Sequence, residues 1–395
     1  MPNQTVLISG ASIAGPALAY WLNRYGFAVT VAERAAALRP GGQAVDFKDG
    51  VHLEVLKRMG ILDAVRARRT GTTDLVFVDA DDHELAVLSG DFTGGALEIL
   101  RGDLAAVLYE QTRDTVEYVF GDTVTALRET DSGVHVEFES AAARTFDLVV
   151  GADGIHSRVR RLAFGPESDF VTHLGYYYCV AGASRWADKS APRERAEGYA
   201  HNVPGKLAVD GGAKAQQMYM FAYPELDYSR TDTSTQRRIL RAAFADVGWH
   251  VPRMLAELDE LDEVYLDSIS QVRMNGTYTR GRVALLGDAA YGNTLAGFGT
   301  GLALVGAYVL AGELASAAGD HEAAYRAYNR IMKRYAKIAG NSNTGPFLAP
   351  KTAVGIKARN WFLGSRLFGL MLKYGDKAAN DVDLVDYSRS ARNRA

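Results

Sequence analysis

Hydrophobic positions change period twice in the first forty residues. Thr5 to Ser9 is a short continuous apolar run, the pattern of a strand buried on both faces. Leu18, Trp21, Leu22 and Tyr25 then recur at helical spacing, and Gly26 ends that stretch. A second apolar run, Ala28 to Ala32, leads into Glu33. The pattern predicts strand, helix, strand. Further on it predicts two short strands, Leu75 to Val78 and Glu84 to Leu88, around a turn at Asp79 to His83. It also predicts a helix from Ser234 to Asp246 and a helix beginning near Thr300.

The first turn of the strand–helix–strand unit reads Gly10-Ala11-Ser12-Ile13-Ala14-Gly15. Gly10 permits a tight turn, and Gly15 lets helix and strand pack closely. Open backbone N–H groups at the helix start can hold a pyrophosphate. Glu33, at the end of the second strand, can accept hydrogen bonds from an adenosine ribose and would repel a 2′-phosphate. Ser12 stands where this pattern has its middle glycine; serine is small, so close approach is kept. These residues predict a dinucleotide site without choosing between NAD and FAD.

Two more strand ends carry similar punctuation. Residues 147–154 run from an apolar stretch into Ala152-Asp153-Gly154, followed by the basic helix start His156-Ser157-Arg158. Residues 283–288 run into Gly287-Asp288, followed by a loop with Gly297, Gly299 and Gly301. A wall against a flat ring must be bare backbone, which glycine supplies. A helix start at Gly299-Thr300 would put positive potential beside that ring.

With these three ordered motifs, nearly the whole chain resembles the para-hydroxybenzoate hydroxylase family of FAD-dependent aromatic monooxygenases. In length and layout it is most similar to the short tetracycline-inactivating members. The resemblance implies an α/β fold: a Rossmann-like FAD-binding domain (1–73, 100–174 and 271–340) interleaved with a β-sheet substrate domain (74–99 and 175–270), plus a C-terminal bridging helix at 350–375. It implies that FAD is held by Gly10, Ser12, Ala14, Gly15, Glu33 with the adjacent Arg34, Asp46 in the loop Gly41 to Asp46, Arg101 in Arg101-Gly102-Asp103-Leu104, Asp153, Asp288, Gly299 and Thr300. Arg39 resembles a position linked to NADPH or NADH, the transient co-substrate. The implied chemistry is addition of dioxygen to the reduced flavin and transfer of one oxygen to an aromatic or polyketide-like small molecule. The family usually has His after Gly-Asp-Ala-Ala and Pro a few residues later; here stand Tyr291 and Asn293-Thr294.

The remaining sequence narrows this picture. Tyr176, Tyr177, Tyr178 and Trp186 cluster on one predicted strand. Tyr219, Phe221 and Tyr223 share a face of another by the two-residue period, with Met218 and Met220 on the opposite face. Tyr177, Tyr219, Phe221 and Tyr223 are the candidate substrate contacts, with packing inside the sheet as the competing reading. His173, His201 and His250 are bases by chemistry alone, and none is singled out. A formal net charge of −3 gives no field for nucleic acid. The single cysteine, Cys179, excludes an internal disulfide and a cysteine metal cage, and fits a reducing cytoplasm. No leader pattern opens the chain, and the run Gly301 to Gly312 stops at Glu313, short of a membrane span. Trp361, Leu367, Phe368 and Met371 recur at helical spacing in a basic stretch, which suits a bridging helix better than a membrane surface. Composition allows a monomer or a dimer. A halogenase is disfavoured because its Trp-x-Trp-x-Ile-Pro signature is absent. A flavin oxidase or reductase, or a flavin-containing binding protein, shares every motif above and stays open.

Overall fold

The computed structural model describes residues 4–39, 44–47, 50–71, 73–90, 97–182, 196–212, 215–261, 264–295, 299–339, 343–368 and 384–387. Trp186, Met371, Gly297 and the loop residues Gly41 to Gln43 lie outside them. The chain opens with the expected unit: strand Thr5–Ser9, helix Ala14–Arg24 and strand Ala28–Glu33. These two strands pair in parallel in a six-stranded sheet. On one side of Thr5–Ser9 come Leu148–Gly151 and then Val283–Leu285, both parallel; Thr279–Arg280 closes that edge antiparallel. On the other side, Glu117–Phe120 follows Ala28–Glu33.

Register decides what this sheet can do. Ser9 lies opposite Gly151, and Gly151 lies opposite Leu285. The three glycine-bearing loops therefore leave the sheet side by side at its carboxyl edge. The chain order also reverses there, where open α/β sheets have their ligand crevice. Helices Ala14–Arg24 and Gly299–Ser316 pack on each other over the sheet, in the largest core cluster. Gly299–Ser316 has 18 residues and is apolar all round; by length and composition it could cross a membrane, but 78% of it is buried inside the protein. It is a core helix.

A second, seven-stranded sheet stands against the first body. Its strands come from Thr73–Val78, Glu84–Leu88, Val171–Ala181, Ala196–Val203, Lys206–Asp210, Gln217–Ala222 and Val264–Val272. Val264–Val272 is one edge and Glu84–Leu88 the other. One face carries Tyr177, Cys179, Tyr219 and Phe221 and packs against Leu240, Phe244 and Met254 of helices Thr233–Phe244 and Val251–Glu257. The other carries Tyr176, Tyr178, Met220 and Phe77 and meets Leu295, Phe347 and Leu363.

Near the C-terminus, helix Ala353–Leu363 lies across Glu84–Leu88 and Ala196–Val203. The apolar stripe expected to seat it does so only in part. Phe368 is buried, but Trp361 is 74% exposed and Leu367 59% exposed. Beside Leu363 and Phe368, the helix is seated by Arg359, which is 6% exposed. Its guanidinium lies 3.6 Å from the centre of the Phe77 ring and donates to Asn202 Oδ1 at 2.5 Å and to the Phe347 carbonyl at 3.2 Å. Burial lowers its pKa to about 10, still charged at neutral pH. A cationic side chain does not register in a hydrophobic period, so the seat was invisible to it. Arg359→Ala removes a cation–π contact and strands Asn202. Urea unfolding of the variant is expected to show a loss of about 3 kcal/mol; a change below about 1 kcal/mol, the level of an ordinary surface substitution, would mean that the helix is held by its apolar neighbours instead.

Candidate functional site

The three loops are stitched together by backbone at the carboxyl edge of the six-stranded sheet. Gly10 N–H donates to Ala32 O at 2.7 Å, Ala152 N–H to Ser9 O at 2.8 Å and Leu286 N–H to Gly151 O at 2.8 Å. Gly10 has φ +109°, and a Cβ there would sit 2.5 Å from the Ala152 carbonyl oxygen. Gly15 is tighter: a Cβ would fall 1.9 Å from the Gly10 carbonyl oxygen, so the first helix turn rests directly on the strand exit. Gly287, at φ +62°, sits between Ala14 and Ala303. Ala14 and Gly15 thus bring the start of one helix against the start of the other, and any larger residue at these points would force the loops apart.

Polar groups line the crevice so formed. Glu33 accepts from the Ala11 N–H at 2.8 Å and the Ala35 N–H at 2.9 Å, which fixes its carboxylate beside the nucleotide turn. A carboxylate has about four acceptor sites, so capacity remains for ribose hydroxyls. Arg34 and Arg39 follow on an exposed stretch. Asp46 lies on strand Ala44–Phe47, paired with Leu97–Leu100, the strand that runs straight into Arg101. Arg101 is the first residue of helix Arg101–Glu110, and its Nε donates to Ser12 Oγ at 3.0 Å. The serine in the middle glycine position therefore has a job: it anchors an arginine over the turn. Asp288 opens the short helix Asp288–Tyr291 at the third loop. Surrounding protein raises its carboxyl above the ordinary value, while Arg101 pulls it back down. A Cβ at Gly299 would lie 3.4 Å from Asp288 Oδ1, so the start of the long helix at Gly299-Thr300 faces the same carboxylate.

The carboxylate of Asp153 is engaged within its own loop. Its Oδ1 accepts the Ser157 hydroxyl at 2.5 Å and its Oδ2 accepts the N–H groups of Arg158 and Val159 at 2.8 and 3.1 Å. It caps helix Arg158–Ala163 and shapes the loop. One expectation changes: Tyr177, Tyr219 and Phe221 lie on the sheet face turned away from the crevice. They are each 2% exposed, and the Tyr219 and Phe221 rings lie 5.1 and 6.0 Å from Phe244 on the far side of the sheet. Tyr223 is 50% exposed at the end of its strand. The face toward the nucleotide-binding body is the alternate one, with Tyr178, Met218 and Met220; Tyr178 and Tyr265 both feel the charge of Arg101.

The departures at 291–294 are absorbed locally. Tyr291 turns into the core, with its ring 5.4 Å from Tyr278, and a Cβ at Gly306 would collide with its hydroxyl. Thr294 ties the loop to the edge of the second sheet: its N–H donates to Ser270 O at 3.0 Å, and its Oγ1 accepts the Ser270 N–H at 3.2 Å. The candidate bases have other partners: His173 the Tyr223 carbonyl, His201 the Val78 carbonyl, and His250 the carboxylates of Asp210 and Asp82.

Sequence reasoning passed over the groups that join the two bodies. Arg160, fully buried, donates to the Ala289 carbonyl at 2.9 Å and the Ile155 carbonyl at 2.6 Å, linking the second and third loops. His156 Nδ1 lies 2.8 Å from Glu167 Oε1, and its Nε2 3.1 Å from Asp267 Oδ1 on the edge strand Val264–Val272. Burial disfavours charge on His156, but the bonds to Asp267 and Glu167 outweigh it and its pKa lies above the ordinary 6.5. Burial also opposes charge on Glu167, yet the bond and charge of His156 bring it down to about 2; Asp267 is lowered in the same way. The only sequence signal was a histidine inside the Asp153-Gly154 motif; its partner Asp267 is 111 residues away.

The chain matches the family model described as FAD binding domain over residues 3–337. It is 35% identical over 400 residues to a flavin-dependent monooxygenase of an unknown prokaryotic organism, covering 98% of this chain and 100% of that protein. It is 40% identical over 333 residues to an uncharacterized protein of Mycobacterium tuberculosis (strain ATCC 25618 / H37Rv), covering 82% and 89%. Among solved structures it resembles the tetracycline destructase Tet(51), with a TM-score of 0.80 at 31% identity, covering 98% of this chain and 100% of that one.

Two outcomes follow from the geometry. Asp288→Ala is expected to lower FAD affinity about 10- to 100-fold, by loss of charged hydrogen bonds to ribityl hydroxyls, with an unchanged far-ultraviolet spectrum; stoichiometric flavin in the purified variant would remove Asp288 from the site. The His156 bridge adds stability that is whole below the imidazole's ordinary pKa and fades as pH rises through its raised folded value. The carboxylate side is present above the ordinary carboxylate range and fades as pH falls toward about 2. Denaturant midpoints of wild type and His156→Asn should therefore diverge most near pH 5 to 6, where imidazole is charged, and converge in alkali; a constant gap would contradict the assignment. With three FAD motifs in register at one sheet edge, and with these relatives, the chain belongs to the FAD-binding-domain family of flavin-dependent monooxygenases.

Proposed function

We propose that the protein uses NADPH or NADH and dioxygen to oxygenate an aromatic or polyketide-like small molecule held between the flavin and the second sheet. The observation that carries this reading is the face opposite the three loops. Tyr178, Met218 and Met220 line it, with Tyr265 at its edge and Leu295 and Phe347 packed beside them. Rings and thioethers on one sheet face suit a flat, conjugated ligand, because both are polarizable and need no fixed polar partner.

Bound FAD would supply hydride acceptance and oxygen activation. The chain does the rest. Glu33 fixes the adenosine end and Arg101, anchored on Ser12, neutralises phosphate. Asp288 takes ribityl hydroxyls. The start of helix Gly299–Ser316 would supply positive potential beside a bound flavin ring. The long helix and the stitched loop at Thr294 exclude water behind the ring. Arg34 and Arg39 are exposed, where a visiting nicotinamide nucleotide could use them without displacing core residues.

The relation to a tetracycline destructase makes fused polycyclic phenols the first substrates to test. The FAD-loaded protein should oxidise NADPH or NADH slowly alone and faster with a tetracycline or a simpler polycyclic phenol present, and labelled dioxygen should place one label in the product. Stimulated oxidation that yields only hydrogen peroxide would favour the oxidase reading. No stimulation across a broad panel, with tight binding of one compound, would favour a binding protein.

A further inference from the structure

Oxygenation of this kind has a proton requirement. A reduced nicotinamide, one proton, dioxygen and substrate become oxidised nicotinamide, oxygenated product and water. The proton must come from solvent into a crevice walled by two bodies. One hydrogen-bonded chain of side chains leads there. The Tyr265 hydroxyl donates to Asp267 Oδ2 at 2.8 Å. Asp267, 3% exposed, meets His156 Nε2 at 3.1 and 3.2 Å through its two oxygens. His156 Nδ1 meets Glu167 at 2.8 Å.

The two ends lie in different surroundings. Tyr265 is 42% exposed; its ring lies 6.1 Å from Tyr178, and Arg101 acts on both tyrosines and on Asp288. Tyr265 therefore stands on the cofactor side. His156, Glu167 and Asp267 line a polar pocket of about 170 Å³ outside the edge strand, together with Arg230, Tyr228 and Ser268. That volume holds several waters. The chain of bonds thus connects a solvent pocket to the crevice across the edge of the sheet.

We propose that His156, Asp267 and Tyr265 form the path by which the proton consumed in each turnover enters the crevice. The inference rests on the oxygenase reading above. His156 rests with a proton on each ring nitrogen. The Tyr265 hydroxyl, which donates to Asp267 at rest, turns toward the crevice and gives its proton to the oxygen atom that departs as water; the His156 Nε2 proton then moves to Asp267 Oδ2, which lies within reach of both groups, and from there to the Tyr265 oxygen. Tyr265 ends as a phenol, Asp267 as a carboxylate and His156 as neutral imidazole with its proton facing Glu167. His156 lines the pocket, and water there then returns a proton to the ring. One proton crosses, only O–H and N–H bonds change, and no electrons move. The charges facing His156 are consistent with this. Glu167 and Asp267 favour the imidazolium, while Arg230, 3.9 Å from Glu167, and Arg161, 2.9 Å from it, keep the carboxylate ionised and limit the proton's stay there.

The test uses the FAD-loaded enzyme and a substrate that stimulates NAD(P)H oxidation. His156→Ala opens the ring's space to the pocket. Its kcat is expected to fall by about 100-fold, the usual size of a lost proton-transfer group, with little change in KM or flavin content, and imidazole in the buffer should restore much of it. Tyr265→Phe should lower kcat without rescue. Independently of turnover, the His156 ring protons should titrate by NMR above 6.5 in the flavin-free and flavin-loaded protein, and Asp267→Asn should lower that value. Four results overturn the proposal: an unchanged kcat, a raised KM with no imidazole rescue, a Tyr265→Phe variant as fast as wild type, or a His156 that titrates at or below 6.5. If His156→Ala does not fold, His156→Asn carries the kcat comparison, with an unchanged kcat again decisive against it. Wild-type protein without stimulated NAD(P)H oxidation overturns the functional reading, whereas wild-type turnover with indifferent variants overturns this proposal alone.

Discussion

The structure depends on how closely backbone can approach backbone at one sheet edge. Gly10 and Gly15 leave no room for a Cβ against the carbonyl oxygens of Ala152 and Gly10, and Gly287 is held between Ala14 and Ala303. Contacts that short are possible only where side chains are absent. They let three loops, far apart in sequence, share a crevice narrow enough for a dinucleotide. Arg101 over Ser12, Glu33 beside Ala11 and Asp288 beside Gly299 are useful because this approach sets their spacing.

The electrostatics of the crevice are arranged around that spacing. One cation, Arg101, faces the nucleotide turn, Asp288 and the tyrosines of the second sheet. A second cation, Arg160, is fully buried and ties the loop of Asp153 to the loop of Asp288 through carbonyl oxygens. Buried charges of this sort contribute little net stability against an apolar equivalent. What Arg160 supplies is position: it fixes two loops relative to each other.

Much of this was legible in the sequence, and the reason differs by element. Glycine at a strand exit followed by a helical period states a backbone requirement, so the turn at Gly10–Gly15 and the motifs at Asp153 and Gly287-Asp288 could be read directly. The two-residue period correctly grouped Tyr219 with Phe221 and Met218 with Met220. It could not say which group faces the cofactor, because period fixes who shares a face and not what that face meets; helices Thr233–Phe244 and Val251–Glu257 took the aromatic one. That Asp153 also caps a helix was not legible, because a carboxylate in a ligand motif and a carboxylate capping a helix have the same sequence. Arg359 and the His156–Asp267 pair were hidden for a third reason. Both depend on contacts between residues more than a hundred positions apart, and neither leaves a periodic trace.

The long core helix has a consequence for how the chain comes into being. Ala14–Arg24 finds its packing partner in Gly299–Ser316, nearly three hundred residues later, and the parallel strand Val283–Leu285 completes the sheet only at that stage. During synthesis the amino-terminal half has to wait for a helix apolar on every side that emerges only after some three hundred residues. Late closure of the nucleotide crevice leaves apolar surface of the growing chain uncovered for most of its synthesis. It also places the first moment at which FAD can bind after about three quarters of the protein has been translated.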